Sequence, residues 1–505
     1  MSTETGGEPS TRPPEAESEF SRITCGVVGS PRSKAERWDT TACLAFDAVS
    51  IPAVNSTRTF PTSTRSVTKA GVPRAARRVA VAAVCLSLVA AACGSDDDST
   101  DDTVTTETST VESAPITDST DAPTSDVPTT DSTAPSDDSG GSAGVEVPTA
   151  PMSDADAAVI DDAAMEALAL GEGVIPGMWV GVWDPAKGVH LAAYGDALAE
   201  ETPATAEDSG RIGSITKTFT ATAVLQQVAE GALSLDDTVA DVLPDLAAEL
   251  PDIAEITVEQ LLAMQSGIPE YEFLVVPDVL ENPTEVVDLD AVIIETVEGG
   301  VEPAGTAGYS TTNYLILGNM LEELTGQPSE DVLNELAADA GLTTTVLTVG
   351  DDIEMPDPSS AGYVNEIGVS YLGLEGIDVE PLGDVSSYNP NWGGVGGSMY
   401  STLEDLGAWA ATGFGNDFLP PELAAQRLEA APLAEGIDYG LGIIDFGNGW
   451  YGHSGSILGW DSLAAHNPET GAVFVAYTNE YGASNVFVGP VLTAFPDLAS
   501  SLYGL

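Results

Sequence analysis

GRIGSITKTFTATAVLQQVAEGAL, residues 210–233, opens on a short glycine-bearing stretch and runs into a helix expected over about 214–230. Ser214 and Lys217 lie three residues apart at its start, so hydroxyl and amine share one face, a turn apart. A serine hydroxyl is a weak nucleophile until a base takes its proton, and a desolvated lysine amine is such a base. The positive end of the helix also favours the alkoxide that develops. The plainer alternative is an ordinary helix start carrying a solvated lysine. Scarcity favours the chemical one: Lys187 and Lys217 are the only lysines after residue 93, and Lys217 stands among small and apolar neighbours.

Outward from this stretch the charge is unevenly spread. The chain has 505 residues, with 80 Asp plus Glu against 15 Lys plus Arg. Eleven of the basic residues lie at or before Arg78; after residue 93, 72 acidic residues face only Lys187, Arg211, Lys217 and Arg427. That excludes a nucleic-acid partner, which requires a basic footprint, and docking on anionic lipid through the protein surface. Whole-chain disorder is excluded by a 43% apolar content. Such an acid excess repels itself and is best tolerated where salt screens it, which suits a saline habitat.

All four cysteines fall in the first 93 residues, so the later chain has neither a disulfide framework nor a cysteine-based metal site. RAARRVAVAAVCLSLVAAAC, residues 74–93, has a basic start, an apolar run and small residues before a cysteine, the plan of a secretory signal. Its apolar run of 14 residues, Val79–Ala92, is short of the roughly 20 a membrane-spanning helix needs. Ending in Ala-Ala-Cys, it resembles a bacterial lipoprotein signal, with Cys93 the lipidated residue, although Ala90 stands where leucine is usual. A buried apolar helix is the alternative. The signal is assigned to 67–93, and the basic prefix 1–66 is expected to be untranslated or a cytosolic extension. Residues 94–150, rich in Asp, Ser, Thr and Pro, bury too little to fold and form an acidic tether. At about 3.1 Å per residue it reaches on the order of 100 Å or more. The expected location is extracytoplasmic, in a bacterial cell envelope, held to the membrane by the lipid alone.

The folded part is expected over 151–505. A helical DADAAVIDDAAMEALALG (154–171) leads to strand-like MWVGVWD (178–184) and VHLAAYG (189–195) about a turn at 185–188. Helices are expected near 257–265, 312–325, 328–340 and 402–412. Strands return in YGLGIIDF (439–446), GWYGH (449–453), LGWDSLAAH (458–466) and AVFVAYTN (472–479), before a last helix near 488–503. Strands at both ends with helices between predict an α+β fold: an antiparallel sheet that the chain leaves and re-enters.

Two further stretches carry candidate chemistry. EPAGTAGYSTTNYLILG (302–318) places Tyr309, Ser310 and Thr311 on a loop before a helix, where a buried core tyrosine is the alternative. NGWYGHSGSILGWDSLAAHN (448–467) places His453, Ser454 and Gly455 on a strand. Glycine at 455 is expected to let an extended substrate approach the strand edge. Ser-x-x-Lys, the tyrosine loop and His-Ser-Gly, in this order, resemble the serine β-lactamase-related superfamily of class C β-lactamases, D-alanyl-D-alanine carboxypeptidases and esterases. ITVEQLLAMQSGIPEY (256–271), GGSMYSTLEDLGAWA (396–410) and DYGLGI (438–443) extend the resemblance across about 176–480.

The resemblance implies a β-lactamase/transpeptidase-like fold, its sheet flanked by helices and its second lobe mainly helical. It implies Ser214 as acylating nucleophile, Lys217 as its proton partner and Tyr309 as a second base. The backbone N–H groups of Ser214 and Ser456 would form the oxyanion hole. No metal or cofactor is implied, and a monomer is expected. Two departures stand out. Thr311 replaces the asparagine of the Tyr-x-Asn motif; Asn313, two residues on, either substitutes for it or caps the helix. His-Ser-Gly replaces Lys-Thr-Gly, which is nearer the carboxypeptidases than true class C β-lactamases, with His453, Ser454 and backbone donors expected to meet substrate. A small peptide, ester or amide is the expected substrate. D-Ala-D-Ala carboxypeptidase ranks first, an esterase or other acyl hydrolase next, then a β-lactamase and a non-catalytic ligand-binding lipoprotein. A terminal carboxylate usually meets an arginine, and only Arg427 or a protonated His453 is left for that task.

Overall fold

The computed structural model describes residues 148–503 apart from 171–174, 349, 365–382, 435, 482–494, 496–497 and 500. The prefix, the signal with Cys93 and nearly all of the tether lie outside the described residues, as does much of the last expected helix; within that stretch Phe495, Leu498, Ala499 and 501–503 are helical.

Helix α1, Asp154–Leu170, precedes the hairpin of β1, Gly177–Asp184, and β2, Gly188–Leu198. The turn forms where expected. Asp184 Oδ1 accepts from the amides of Ala186 and Lys187 at 2.7 and 3.0 Å, and Gly188 takes φ +106°, a value that suits only glycine. Short strands follow: β3 Thr202–Pro203, β4 Gly210–Arg211, β5 Val346–Leu347, β6 Tyr363–Val364, β7 Gly383–Asp384 and β8 Met399–Ser401. The chain then returns to the sheet with β9 Ala431–Ala434, β10 Ile437–Tyr439, β11 Ile444–Gly447, β12 Trp450–Ile457, β13 Trp460–Asn467 and β14 Ala472–Thr478, ending in β15 Glu480–Tyr481. Nine strands make the main antiparallel sheet in the order β3-β2-β1-β14-β13-β12-β11-β10-β9. N-terminal β1 lies beside C-terminal β14, so the chain leaves the sheet and re-enters it, with the intervening helices on one side. The fold is α+β, as expected.

Why both ends of the chain form continuous apolar strands follows from their position. Every residue of β1 and of β14 is buried, because the sheet is covered on both faces. Alternation sends Met178, Val180, Val182, Leu463, Ala465, Phe474 and Ala476 towards Ile160 and Ala164 of α1. It sends Trp179, Trp183, Ala464, Val473, Val475 and Tyr477 into the larger core shared with helix α2, Thr216–Glu230. In α2 ten consecutive residues, Thr216–Leu225, are buried, and Gly231 closes the helix at φ +74°. The remaining long helices, Glu272–Glu281, Leu289–Glu298, Thr312–Thr325, Ser329–Asp339 and Leu403–Ala411, gather around it. Among the described residues no helix is long and apolar enough to cross a membrane.

YGLGIIDF, expected as one strand, is a hairpin turn. β10 stops at Tyr439 and β11 starts at Ile444, with Gly440 N donating to Ile443 O at 2.8 Å. Gly442, at φ +75°, presses against α2 so closely that a Cβ there would lie 2.2 Å from Ala221 Cβ. Two glycines that read as strand interior serve instead to let the turn close in, Gly440 on Arg427 O and Gly442 on α2. Helix Glu272–Glu281 is also absent from the sequence expectation; Pro277 inside it breaks the sequence signal.

Candidate active site

Ser214 sits on a single turn of 3-10 helix, Gly213–Ile215, that feeds α2. Two glycines let β12 close on this turn. Gly213 has φ +50°, and a Cβ there would lie 2.6 Å from Ser456 N. A Cβ on Gly455 would lie 2.0 Å from Ile212 O and 2.9 Å from Ser214 N. Ser462 Oγ ties the turn down by donating to Ile212 O at 2.9 Å. The space at Gly455 is therefore filled by the nucleophile's own turn, which corrects the expectation that it admits substrate. The Ser214 and Ser456 amides lie on these two apposed backbones.

Lys217 is fully buried. As an ammonium it donates to Ser214 Oγ at 2.9 Å, Thr311 Oγ1 at 3.1 Å and Gly396 O at 2.8 Å. Burial pulls its pKa down to about 8, against the opposing pull of the Glu270 and Glu272 carboxylates. An amine that loses its proton in this range turns a lone pair towards the Ser214 hydroxyl. Tyr309 completes the constellation from the other side. Its ring centre lies 5.0 Å from Lys217 Nζ, although the residue as a whole is exposed. Desolvation of the hydroxyl pushes its pKa well above the ordinary value, the Ser214 side chain partly offsetting this. The loop that carries it is anchored to the segment after the Val258–Leu262 helix: Gly308 N donates to Met264 O, and Ser310 Oγ and Thr312 Oγ1 donate to Pro269 O.

The two departures from the family pattern resolve differently. Thr311 is buried and faces inward, its hydroxyl accepting from Lys217 and its amide donating to Glu270 Oε2 at 2.7 Å. Asn313 neither reaches the site nor caps the helix. Its Oδ1 accepts from Ser266 Oγ at 2.7 Å, pinning the loop behind Tyr309. His453 is buried, with Nδ1 2.5 Å from Ser454 O and Nε2 2.9 Å from the Tyr439 hydroxyl. Because a carbonyl only accepts, Nδ1 carries the proton and Nε2 accepts from Tyr439. Burial, with Lys217 nearby, takes the His453 pKa down to about 3. The expected titratable cation is a neutral ring at physiological pH. Ser454 alternates to the other face of β12 and offers His453 its carbonyl.

The arginine expected as a carboxylate partner is likewise unavailable. Arg427 is wholly buried: Nε donates to Leu441 O, one terminal nitrogen to Phe414 O and Thr222 Oγ1, the other to Thr218 O. It binds α2 to the Gly440–Ile443 turn. Arg211 is buried against Ile353 O, and Lys187 pairs with Asp156 at 3.2 Å. What the site does hold, and the sequence did not reveal, is a pair of acids. Glu270 Oε1 accepts from the amides of Tyr271 and Glu272 at 2.7 and 3.2 Å, while Oε2 takes Thr311 N. Glu272 opens the next helix, and desolvation with the neighbouring Glu270 pushes its carboxyl up to about 8. Glu270 falls in the quoted 256–271 stretch and Glu272 directly follows it, but among 72 acidic residues nothing local marks them.

A family model described as Beta-lactamase matches residues 159–490, which span the whole constellation. The chain belongs to the β-lactamase family. It is a serine hydrolase of that superfamily, and its fold is the expected one. It is 30% identical over 312 residues to penicillin-binding protein 4 of Amycolatopsis lactamdurans, covering 58% of this chain and 77% of that one. To the D-aminopeptidase of Brucella anthropi it is 28% identical, covering 62% of this chain and 58% of that one. Among solved structures, the D-stereospecific amidohydrolase from Streptomyces sp. superposes with a TM-score of 0.58 at 26% identity, over 69% of this chain and 99% of that one.

Proposed function

We propose that this β-lactamase-family protein hydrolyses amides or esters whose acyl part carries a free amine, through an acyl-enzyme on Ser214. The observation that carries this reading is the charge of the site. Glu270 and Glu272 stand beside Lys217 and Tyr309, His453 is neutral, and Arg427 is fully engaged by backbone and hydroxyl oxygens. A substrate ammonium is matched by the Glu270 carboxylate, which backbone amides hold in place. A substrate carboxylate meets no cation but Lys217, which the reaction needs neutral. D-Ala-D-Ala carboxypeptidase activity, first on sequence, therefore ranks second. The D-aminopeptidase among its relatives supports the same order, and the D-stereospecific amidohydrolase supports the D-series.

In this mechanism Lys217 takes the Ser214 proton as Oγ attacks the carbonyl carbon, and the oxyanion is held by the amides of Ser214 and Ser456. Collapse breaks the bond to the leaving amine or alcohol, which collects its proton by way of the Tyr309 hydroxyl. Water, losing a proton back through the same pair, releases the acid and restores Ser214. The test compares kcat/KM for D- and L-amino-acid p-nitroanilides with the amine free and acetylated, and for one peptide with its C-terminus free and amidated. The expected result is a preference for the free amine, for the D-series and for the amidated C-terminus at neutral pH. A strong preference for the free C-terminal acid would move the assignment to a carboxypeptidase.

A further inference from the structure

We propose that Arg211 and Tyr400 hold a chloride ion behind the nucleophile's turn, at a site the hydrolytic reaction does not use. The inference is independent of the amine preference. It begins with a positive charge that the protein buries without an acid. Arg211 is 2% exposed, and the ion pairs among the described residues are Lys187–Asp156 and His190–Asp161, so no carboxylate closes on its guanidinium. Asp352, next to the carbonyl that Arg211 meets, is exposed and forms no ion pair with it.

The two buried arginines use their donors differently. Arg427 commits Nε and both terminal nitrogens to oxygens. Arg211 gives Nη2 to Ile353 O at 2.7 Å, while its Nη1 is buried with no acceptor among the described residues. Burial lowers the Arg211 pKa only to about 10, so the group stays charged at neutral pH. A buried charge of this kind calls for a counter-charge, which a neutral acceptor does not supply.

A second donor stands beside the first. Arg211 of β4 is the direct cross-strand partner of Tyr400 of β8, so both side chains leave the same face of this small sheet, with Cβ atoms about 5 Å apart. Tyr400 is buried too, and its hydroxyl makes no hydrogen bond among the described residues. The Trp460 ring, its centre 5.9 Å from Arg211 Cζ, walls the guanidinium on one side. A guanidinium N–H pair and a phenol O–H against an aromatic wall suit a small anion of single charge. Chloride is the abundant ion of that kind; phosphate or sulfate would bring more charge than one guanidinium balances. Position gives the ion its consequence. Arg211 lies three residues before Ser214, where Ile212 N donates to Met399 O at 3.0 Å and Ser462 Oγ donates to Ile212 O at 2.9 Å. A chloride bridging Arg211 and Tyr400 cross-links β4 to β8 where the chain enters the nucleophile's turn.

The test follows the melting temperature of the purified protein as chloride replaces gluconate at one fixed ionic strength, which separates binding from screening. The expected rise is roughly 2 °C for each tenfold increase in chloride above its Kd. Tyr400→Phe, which removes one donor, should move that dependence to chloride concentrations about threefold higher or more. Arg211→Met should abolish it while keeping the general rise with ionic strength. In crystals grown in bromide, an anomalous peak should lie within hydrogen-bonding distance of Arg211 Nη1. A melting temperature indifferent to chloride at fixed ionic strength would overturn the proposal. So would a water in place of bromide at Nη1, a chloride dependence that survives Arg211→Met, or one left unmoved by Tyr400→Phe. Where Arg211→Met does not fold, the bromide peak and Tyr400→Phe decide the question.

Discussion

Ser214 and Lys217 owe their chemistry to one contact of 2.9 Å and to the burial around it. Ser214→Ala should abolish turnover and should also abolish labelling by a fluorophosphonate probe, read as a single mass adduct on the peptide containing residue 214; an adduct that survives the substitution would assign the nucleophile elsewhere. Lysine works as a base only when neutral. With its folded pKa lowered from 10.5 to about 8, a rising fraction of the amine is neutral as pH climbs through that value, so kcat/KM for a neutral ester should rise with pH and level off above about 8. A profile centred near the histidine range instead would point to another base. His453 should contribute no limb between pH 5 and 9, since burial holds its pKa near 3. Scarcity among the lysines pointed to Lys217 from sequence alone, but whether His453 is charged depends on its burial and its partner Tyr439, 14 residues away in the chain.

At the scale of elements, the site exists because β12 meets the turn before α2 backbone to backbone. Gly455 has no room for a side chain: its Cβ would overlap Ile212 O at 2.0 Å. Gly455→Ala should push the strand from the turn, separate the Ser214 and Ser456 amides, and lower kcat by at least about 10²-fold, the amount lost with one oxyanion donor. The melting temperature should fall as well. A variant with near-normal kcat would show that the two amides do not act together. The same backbone apposition explains why an element-level reading of the sequence erred at 439–446. Period and composition there fit a strand, yet the glycines at 440 and 442 answer to Arg427 and Ala221, residues brought close only by the fold.

For the whole molecule, charge sets the behaviour. With 72 acids against four bases after residue 93, and with each arginine among them buried in the core, the surface carries almost no compensating cation. Screening should relieve this repulsion, so the melting temperature should rise by several degrees between low and molar salt; a flat curve would show that the acids are too well spaced to matter. The lipid anchor expected at Cys93 from the sequence is tested by fractionation: if it exists, wild type should sediment with membranes and Cys93→Ser should appear in the soluble fraction, and equal partitioning of the two would remove Cys93 as an anchor.

The sequence by itself determined the class of fold, the strands at the two ends of the domain and the pairing of Ser214 with Lys217, while Tyr309 stood out only through the resemblance to the family. The first three are legible because hydrophobic period is local and because a nucleophile and base one helical turn apart announce each other. Only the tertiary structure decided which charges the substrate meets. Arg427, the one arginine left for a carboxylate, turned out to spend its donors on Leu441, Phe414, Thr222 and Thr218. Glu270 and Glu272, two acids among many, turned out to stand beside the base. The reason is physical: a charge acts according to its distance and its burial, and both are set by chain segments remote in sequence that packing brings together.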